Sequence, residues 1–263
     1  MINSQPQTIA QQLDSQIREF LGQITHSGVY NKIVFARLMN SCIELQGKGG
    51  EVVVANILRA GLYSSIGDFV QVERMLCNAE LNNGQAQARA ARFSHLTNHG
   101  FATEAMKLVD DLFANRSIYT FVDLADYVVG AGGFNKVIEK VNTSLKNNEV
   151  LKMTGVLNLA KQAASVMAQL DVNDVQMASM LDLAGEILRS NKLYWQGDRP
   201  DVHVLLPENG GPSLTFDYHV FVAPEEAARM NWELTESLVG RELDVAGIHI
   251  GFVGTKLPAK LAA

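Results

Sequence analysis

The chain has 263 residues, of which 47% are hydrophobic and 19% charged, and its formal net charge is -6. This balance is typical of a globular protein with a sizeable core, and the acidic charge argues against non-specific nucleic-acid binding, which requires neutralised phosphates. The polar N-terminus lacks the features of a signal peptide, and no apolar stretch approaches the roughly 20 residues of a membrane span. We therefore expect a cytoplasmic protein.

Two amphipathic helices are predicted between about residues 8 and 48. Each has apolar residues three and four positions apart, the spacing that lines one face of a helix. Together the two helices predict an αα-hairpin. Their apolar positions are Ile9, Leu13, Ile17, Phe20, Leu21 and Ile24 in the first helix, and Val34, Phe35, Leu38, Met39, Cys42 and Leu45 in the second.

Three glycines, Gly67, Gly100 and Gly133, recur at intervals of 33 residues, and a period in this range is typical of repeat proteins. The residues before each glycine share an apolar i, i+3, i+7 spacing, which only His95 breaks. The residues after each glycine begin a second amphipathic helix. Because glycine easily takes the left-handed conformation that ends a helix, each unit is predicted to be an αα-hairpin. The aligned positions are Ala55/Leu58/Leu62, Ala88/Ala91/His95 and Phe121/Leu124/Val128 before the glycines, and Val72/Met75, Ala105/Leu108 and Ile138/Val141 after them.

Two segments carry a family resemblance: GDFVQVERML at residues 67–76 and GFATEA at residues 100–105. Over roughly residues 50 to 148 the chain resembles a tetratricopeptide or pentatricopeptide array. The resemblance implies a right-handed superhelix of αα-hairpins, an α-solenoid. Such arrays usually bind other proteins, or RNA in the pentatricopeptide branch.

Two more helices are predicted over residues 149–190, after which the helical period stops. A linker follows, and then a period of two residues predicts strands, with a helix from Pro224 to about Val239 before the last strand. We therefore expect a mostly helical fold, with a helical-repeat domain over residues 1–190 and a small β-β-α-β domain over residues 191–263. The predicted strands cover residues 201–206, 214–222 and 243–253.

The predicted strands suggest one candidate metal site. If the helix covers the apolar face of the sheet, alternation places four polar side chains on the opposite face. Imidazole and carboxylate groups are the mixture that zinc prefers in catalytic sites, although no short spacing such as His-x-His is present. The alternative is a half-polar face that packs against the helices or faces water. The four residues are His203, Asp217, His219 and His249.

A second candidate site is basic and lies on the first helices of the repeats. In repeat arrays these helices line the concave groove, so arginines there would hold a carboxylate or phosphate of a partner, with a tyrosine as a stacking surface. An ordinary solvated face is the alternative. The residues concerned are Arg59, Tyr63, Arg89 and Arg92.

No phosphate-binding glycine loop, dinucleotide fingerprint or nucleophile elbow is present in the sequence. Cys42 and Cys77 lie in apolar helical stretches, where a free thiol behaves as a small hydrophobic group. We therefore predict a non-enzymatic adaptor or scaffold without a cofactor, whose helical-repeat surface binds a protein partner. The alternatives are a binder of single-stranded RNA and an enzyme with zinc or a similar divalent metal on the C-terminal sheet.

Overall fold

The computed structural model of the chain describes residues 8–27, 29–47, 51–115, 120–144, 151–193, 199–207 and 211–255. These residues are mostly helical, with a three-stranded sheet near the C-terminal end. None of the helices in these ranges has the length and apolar character needed to cross a membrane. The chain divides into two compact units, the first ending at His95 and the second beginning at Leu96.

The first unit contains four helices and most of a fifth. Helix α3 packs against both α2 and α4, and α1 contacts α2 and α3. The apolar stripes predicted for α1 and α2 supply much of the core, except that Ile9 is exposed at the start of α1. The helices are α1 (Ile9–Ser27), α2 (Lys32–Gly47), α3 (Val52–Ser65), α4 (Phe69–Leu81) and α5 (Gln85–Asn98).

The same turn closes many of the helices. The second residue after the helix is left-handed, and the N–H of the residue that follows it donates to the carbonyl five residues earlier, which is the Schellman arrangement. Gly67 and Gly100 adopt this conformation as predicted, with φ of 74° and 66°. In the third copy the left-handed residue is Gly132 and not Gly133. Position 133 has no room for a side chain, because a Cβ there would lie 2.6 Å from side-chain atoms of Met106 and Val128.

The second unit begins with the end of α5 and combines helices with the sheet. The single helix predicted after Gly100 is two short helices, because the chain turns at Lys107 and Leu108. The domain boundary predicted near residue 190 falls inside this unit. Its further helices are α6 (Ala102–Met106), α7 (Val109–Ala114), α8 (Phe121–Gly130), α9 (Phe134–Ser144), a 3-10 turn (Leu151–Met153), α10 (Thr154–Gln169), α11 (Asp174–Ser190) and α12 (Pro224–Gly240).

The sheet has the order β1-β2-β3, formed by β1 (Asp201–Leu205), β2 (Ser213–Val220) and β3 (Ile248–Gly254). Strand β2 is antiparallel to β1 and parallel to β3, and α12 connects β2 to β3, so the predicted β-β-α-β order is confirmed. Phe216 and Tyr218 of β2 are buried on the face that the helices cover. The predicted alternation therefore holds, and the other face carries the polar side chains.

Candidate functional site

The predicted basic group lies in the first unit, and two of its members are packed between helices. Arg59 is half-buried, and its Nη1 donates to Oε1 of Gln46 on α2 at 3.1 Å. Tyr63 packs edge-on against Phe35 with ring centroids 6.3 Å apart, and it also contacts the core cluster that includes Leu76. Both side chains therefore contribute to the packing of α3 against its neighbours.

The other two members of this group are on α5. Arg89 is half-buried, whereas Arg92 lies between two carboxylates of α4. Its Nη1 is 2.7 Å from Oε1 of Glu80, and its Nε is 3.1 Å from Oε2 of Glu73. Burial lowers the pKa of Arg92, but the two carboxylates outweigh this effect and hold the pKa above its ordinary value. Arg92 therefore joins α5 to α4.

His95 and Ser64 form a buried hydrogen bond, with Nδ1 2.8 Å from Oγ. Burial, and then the charge of Arg92, lowers the pKa of His95 to about 4, so the imidazole is neutral near neutral pH. A serine next to a histidine is also the pair found in nucleophilic catalysis, but both side chains here are buried. We interpret this pair as two buried polar side chains whose hydrogen bond to each other stabilises them in the core.

Helices α2 and α4 each carry an exposed pattern that the sequence analysis did not identify. Each has an apolar side chain followed one helical turn later by an arginine: Ile33 and Arg37 on α2, Val70 and Arg74 on α4. Ile33 is 81% exposed and Val70 78%, and both arginines are exposed. We call these four residues, together with the exposed Leu81 at the end of α4, the outer stripe.

The predicted metal ligands share one face of the sheet, but they form separate pairs. Nε2 of His219 lies 3.0 Å from Oδ2 of Asp201, and Nε2 of His203 lies 4.0 Å from Oδ2 of Asp217. His249 is on β3, beside Thr215 in the strand register. In the described ranges, no three His, Cys, Asp or Glu side chains are grouped so that they could hold a metal ion.

His219 also lines a cleft of about 440 Å³ in the second unit. The lining residues come from the end of α8, from α10 through Leu159, and from the segment entering β1. Val129, Leu159 and Val202 make part of this lining apolar. The ionisable side chains in the lining are Asp126, Arg199, Asp201 and His219.

Arg199 is held on three sides within the cleft. Its Nη1 is 2.9 Å from Oδ2 of Asp126, and its guanidinium carbon lies 4.6 Å from the centre of the Tyr127 ring. A Cβ on Gly130 would be 3.4 Å from Cδ of Arg199, so the aliphatic part of the arginine crosses the helix at a residue without a side chain. The contacts position the guanidinium beside a carboxylate and an aromatic face.

Of the charged groups in this cleft, the sequence analysis selected only His219. Asp126 lies in the predicted third repeat, Arg199 in the predicted linker, and Asp201 at the start of a strand. The available signal was the short run Arg199-Pro200-Asp201, which leads into the alternating strand. Nothing local in the sequence indicated that it would meet α8.

No protein-family model, curated protein or solved structure matches this chain. A functional role must therefore be inferred from the residues and their geometry. Two surfaces stand out in the described ranges: the outer stripe of the first unit and the charged cleft of the second.

Proposed function

We propose that the protein is a cytoplasmic adaptor whose helical hairpins form a tetratricopeptide-like α-solenoid over residues 1–190, followed by a smaller domain over 191–263, and that it binds a segment of a partner protein. The observation that carries this proposal is the outer stripe. Its apolar members Leu81, Ile33 and Val70 are 83%, 81% and 78% exposed, the highest values among the large apolar side chains of the described ranges.

The composition of the outer stripe suits a protein interface. Fully burying a Val, Ile or Leu side chain contributes about 1.5–3 kcal/mol. Arginine is enriched among the residues that dominate binding energy, because its guanidinium can donate several hydrogen bonds at once. Arg37 and Arg74 each lie one helical turn from such an apolar side chain.

The charge of the outer stripe supports a partner of acidic character. The whole chain is acidic, with a formal net charge of -6, yet the charges of Arg37 and Arg74 are exposed here beside apolar side chains. An acidic segment with apolar residues would complement both properties, and long-range attraction would accelerate its association. We therefore propose an acidic, amphipathic segment as the occupant.

The two alternatives receive less support. For RNA binding, Arg92 would have to contact phosphate, but its guanidinium is already paired with Glu73 and Glu80. For a metal-dependent enzyme, the sheet supplies separate His–Asp pairs where a metal ion would need a group of ligands.

The test is a selection of random peptides displayed on phage against the full chain, followed by fluorescence anisotropy with the selected peptides. We expect acidic peptides with interspersed apolar residues to be enriched, and their affinity to fall as salt is raised. The double variant Arg37→Glu/Arg74→Glu should weaken them by about tenfold or more. The matched control, Lys152→Glu/Lys161→Glu, makes the same charge change at exposed residues of the second unit and should leave the affinity unchanged.

Two results would overturn the proposal. One is the absence of enriched peptides, and the other is enrichment of peptides that bind the Arg37→Glu/Arg74→Glu variant as tightly as the original chain. Fluorescent oligouridine is titrated in parallel. Salt-dependent binding of this RNA that is lost on replacing Arg59, Arg89 and Arg92 would instead support the RNA-binding alternative.

A further inference from the structure

Helix α12 of the second unit has an exposed face that contains a tryptophan. Trp232 is 67% exposed and Val239 56%, and Ala228 and Glu236 are exposed on the same side of the helix. Their separation by three or four residues is the spacing that lines one face of a helix. Tryptophan is highly buried on average and is enriched among the residues that dominate binding energy, so this face is a candidate interface. We call these four residues the α12 stripe.

The α12 stripe is acidic as well as apolar. The helix contains four glutamates and one arginine, so its carboxylates outnumber its cations. Arg229 is already paired with Glu226 and Glu233. The Nε1–H of Trp232 donates to Oε1 of Glu236 at 2.8 Å, and this neutral donor leaves the full negative charge on the carboxylate. The α12 stripe therefore suits a surface that is apolar and positively charged.

The α4 part of the outer stripe has these complementary properties. Val70 and Leu81 are its exposed apolar side chains, and the exposed Arg74 and Cys77 lie between them on the same face of the helix. Val70 and Leu81 are separated by the same number of residues as the first and last members of the α12 stripe, a length of about 16 Å along each helix. The two surfaces therefore match in length as well as in charge.

An antiparallel arrangement of the two helices matches these surfaces position by position. Apolar groups meet at both ends, unlike charges face each other, and small side chains lie opposite large ones, as interdigitated packing requires. The facing positions are Val70 with Val239, Arg74 with Glu236, Cys77 with Trp232 and Leu81 with Ala228.

We propose that the outer stripe of one copy of this chain binds the α12 stripe of a second copy. The contact joins two different surfaces, so it is head-to-tail. This inference rests on the proposed function, because it names α12 of a second copy as an acidic, amphipathic occupant of the outer stripe. A partner segment and a second copy then compete for the same site, and self-association regulates access to it.

The test is the average mass of the full chain in solution, measured by sedimentation equilibrium. We expect the mass to rise from one chain at about 10 μM toward two or more chains at about 1 mM, and the rise to be smaller at high salt. Trp232→Ala should weaken the association by about tenfold or more, because the indole supplies the largest apolar contact. The alternative occupant of the α12 stripe, a basic segment of another protein, predicts a chain that stays monomeric.

An exchange of charges makes the test specific to these two surfaces. Arg74→Glu places two carboxylates opposite each other, and Glu236→Arg places two guanidinium groups there, so each variant alone should associate about tenfold or more weakly. Mixing the two variants restores unlike charges at every contact and should restore the rise in mass, which also shows that both are folded. Lys161→Glu and Glu19→Arg make the same charge changes at exposed residues outside both stripes and should leave the association unchanged.

The proposal fails if the chain has the mass of one copy up to about 1 mM, if both charge variants associate as the original chain does, or if their mixture is no heavier than its components. The acidic peptides selected against the outer stripe should dissociate the assemblies. If these peptides bind a chain that stays monomeric, the self-association is wrong and the proposed function stands. If the peptides do not bind and the mass does not rise, both are wrong.

Discussion

Gly185 of α11 lies directly against the backbone of Gly100, the left-handed residue that ends α5. A Cβ on Gly185 would be 2.0 Å from the carbonyl oxygen of Gly100, a distance that only a glycine tolerates. Arg189, one turn further along α11, donates from Nη1 to that same oxygen at 3.1 Å and stacks on the Phe101 ring. The turn after α5 is thus held against α11 by close backbone packing and by one arginine.

This contact predicts a large effect for Gly185→Ala. The added methyl group would have to displace backbone, so we expect unfolding free energy to fall by about 2–4 kcal/mol, although alanine is the better helix former. Gly155→Ala on α10 is the control, because no atom lies within 4 Å of the position of its Cβ. It should be neutral or stabilising by up to about 1 kcal/mol. Urea unfolding measures both, and equal effects of the two substitutions would contradict the close packing.

His95 predicts a loss of stability in mild acid. Its pKa is about 4 in the folded chain and 6.5 in a model peptide, so the unfolded chain takes up its proton first as the pH falls. The loss of stability should begin below 6.5 and reach roughly 3 kcal/mol near pH 4. The imidazole contacts the Ser64 hydroxyl and the Phe69 ring, and the positive charge of Arg92 further disfavours its protonation.

The measurement is urea unfolding at about pH 7 and about pH 4.5 for the original chain and for His95→Gln. The variant should be less stable at neutral pH, because it disturbs the bond to Ser64, but it should lose less stability on acidification. If His95→Gln lost as much stability on acidification as the original chain, another group would be responsible.

The helices and the β-β-α-β succession of elements could be predicted from sequence because each depends on local patterns, whereas the order of the strands within the sheet was left open. Apolar spacing identifies a helix face, and a glycine marks a left-handed turn. The same logic missed the turn at Asn83, which is left-handed without being glycine. The ion pair between Asp126 and Arg199 could not be predicted either, because a contact between a helix and a distant segment produces no periodic pattern in the sequence.

The two cysteines should differ in reactivity, although the sequence predicts that both behave as small hydrophobic groups. Cys42 is buried, and burial raises the pKa of its thiol to about 11 in spite of nearby Arg59. Cys77 is exposed on α4. Since the thiolate is the reactive form, Ellman's reagent should titrate Cys77 in the folded chain and both thiols after unfolding. Cys77→Ser should abolish the reaction of the folded protein, and a persistent reaction would show that Cys42 is accessible.

Replacing Arg92 should destabilise the fold, whereas replacing Arg74, which we propose contacts the partner, should leave stability nearly unchanged. Arg92 has a side chain that is only 19% exposed and is paired with Glu80 and Glu73. Arg92→Leu would leave two carboxylates beside each other without their cation, so we expect a loss of about 1–3 kcal/mol in unfolding free energy. Arg74 is exposed on the same helix as those carboxylates, and Arg74→Leu should change stability by no more than about 0.5 kcal/mol. Urea unfolding at low and high salt measures both variants, and similar losses would mean that Arg74 also supports the fold and is a poor choice for testing partner binding.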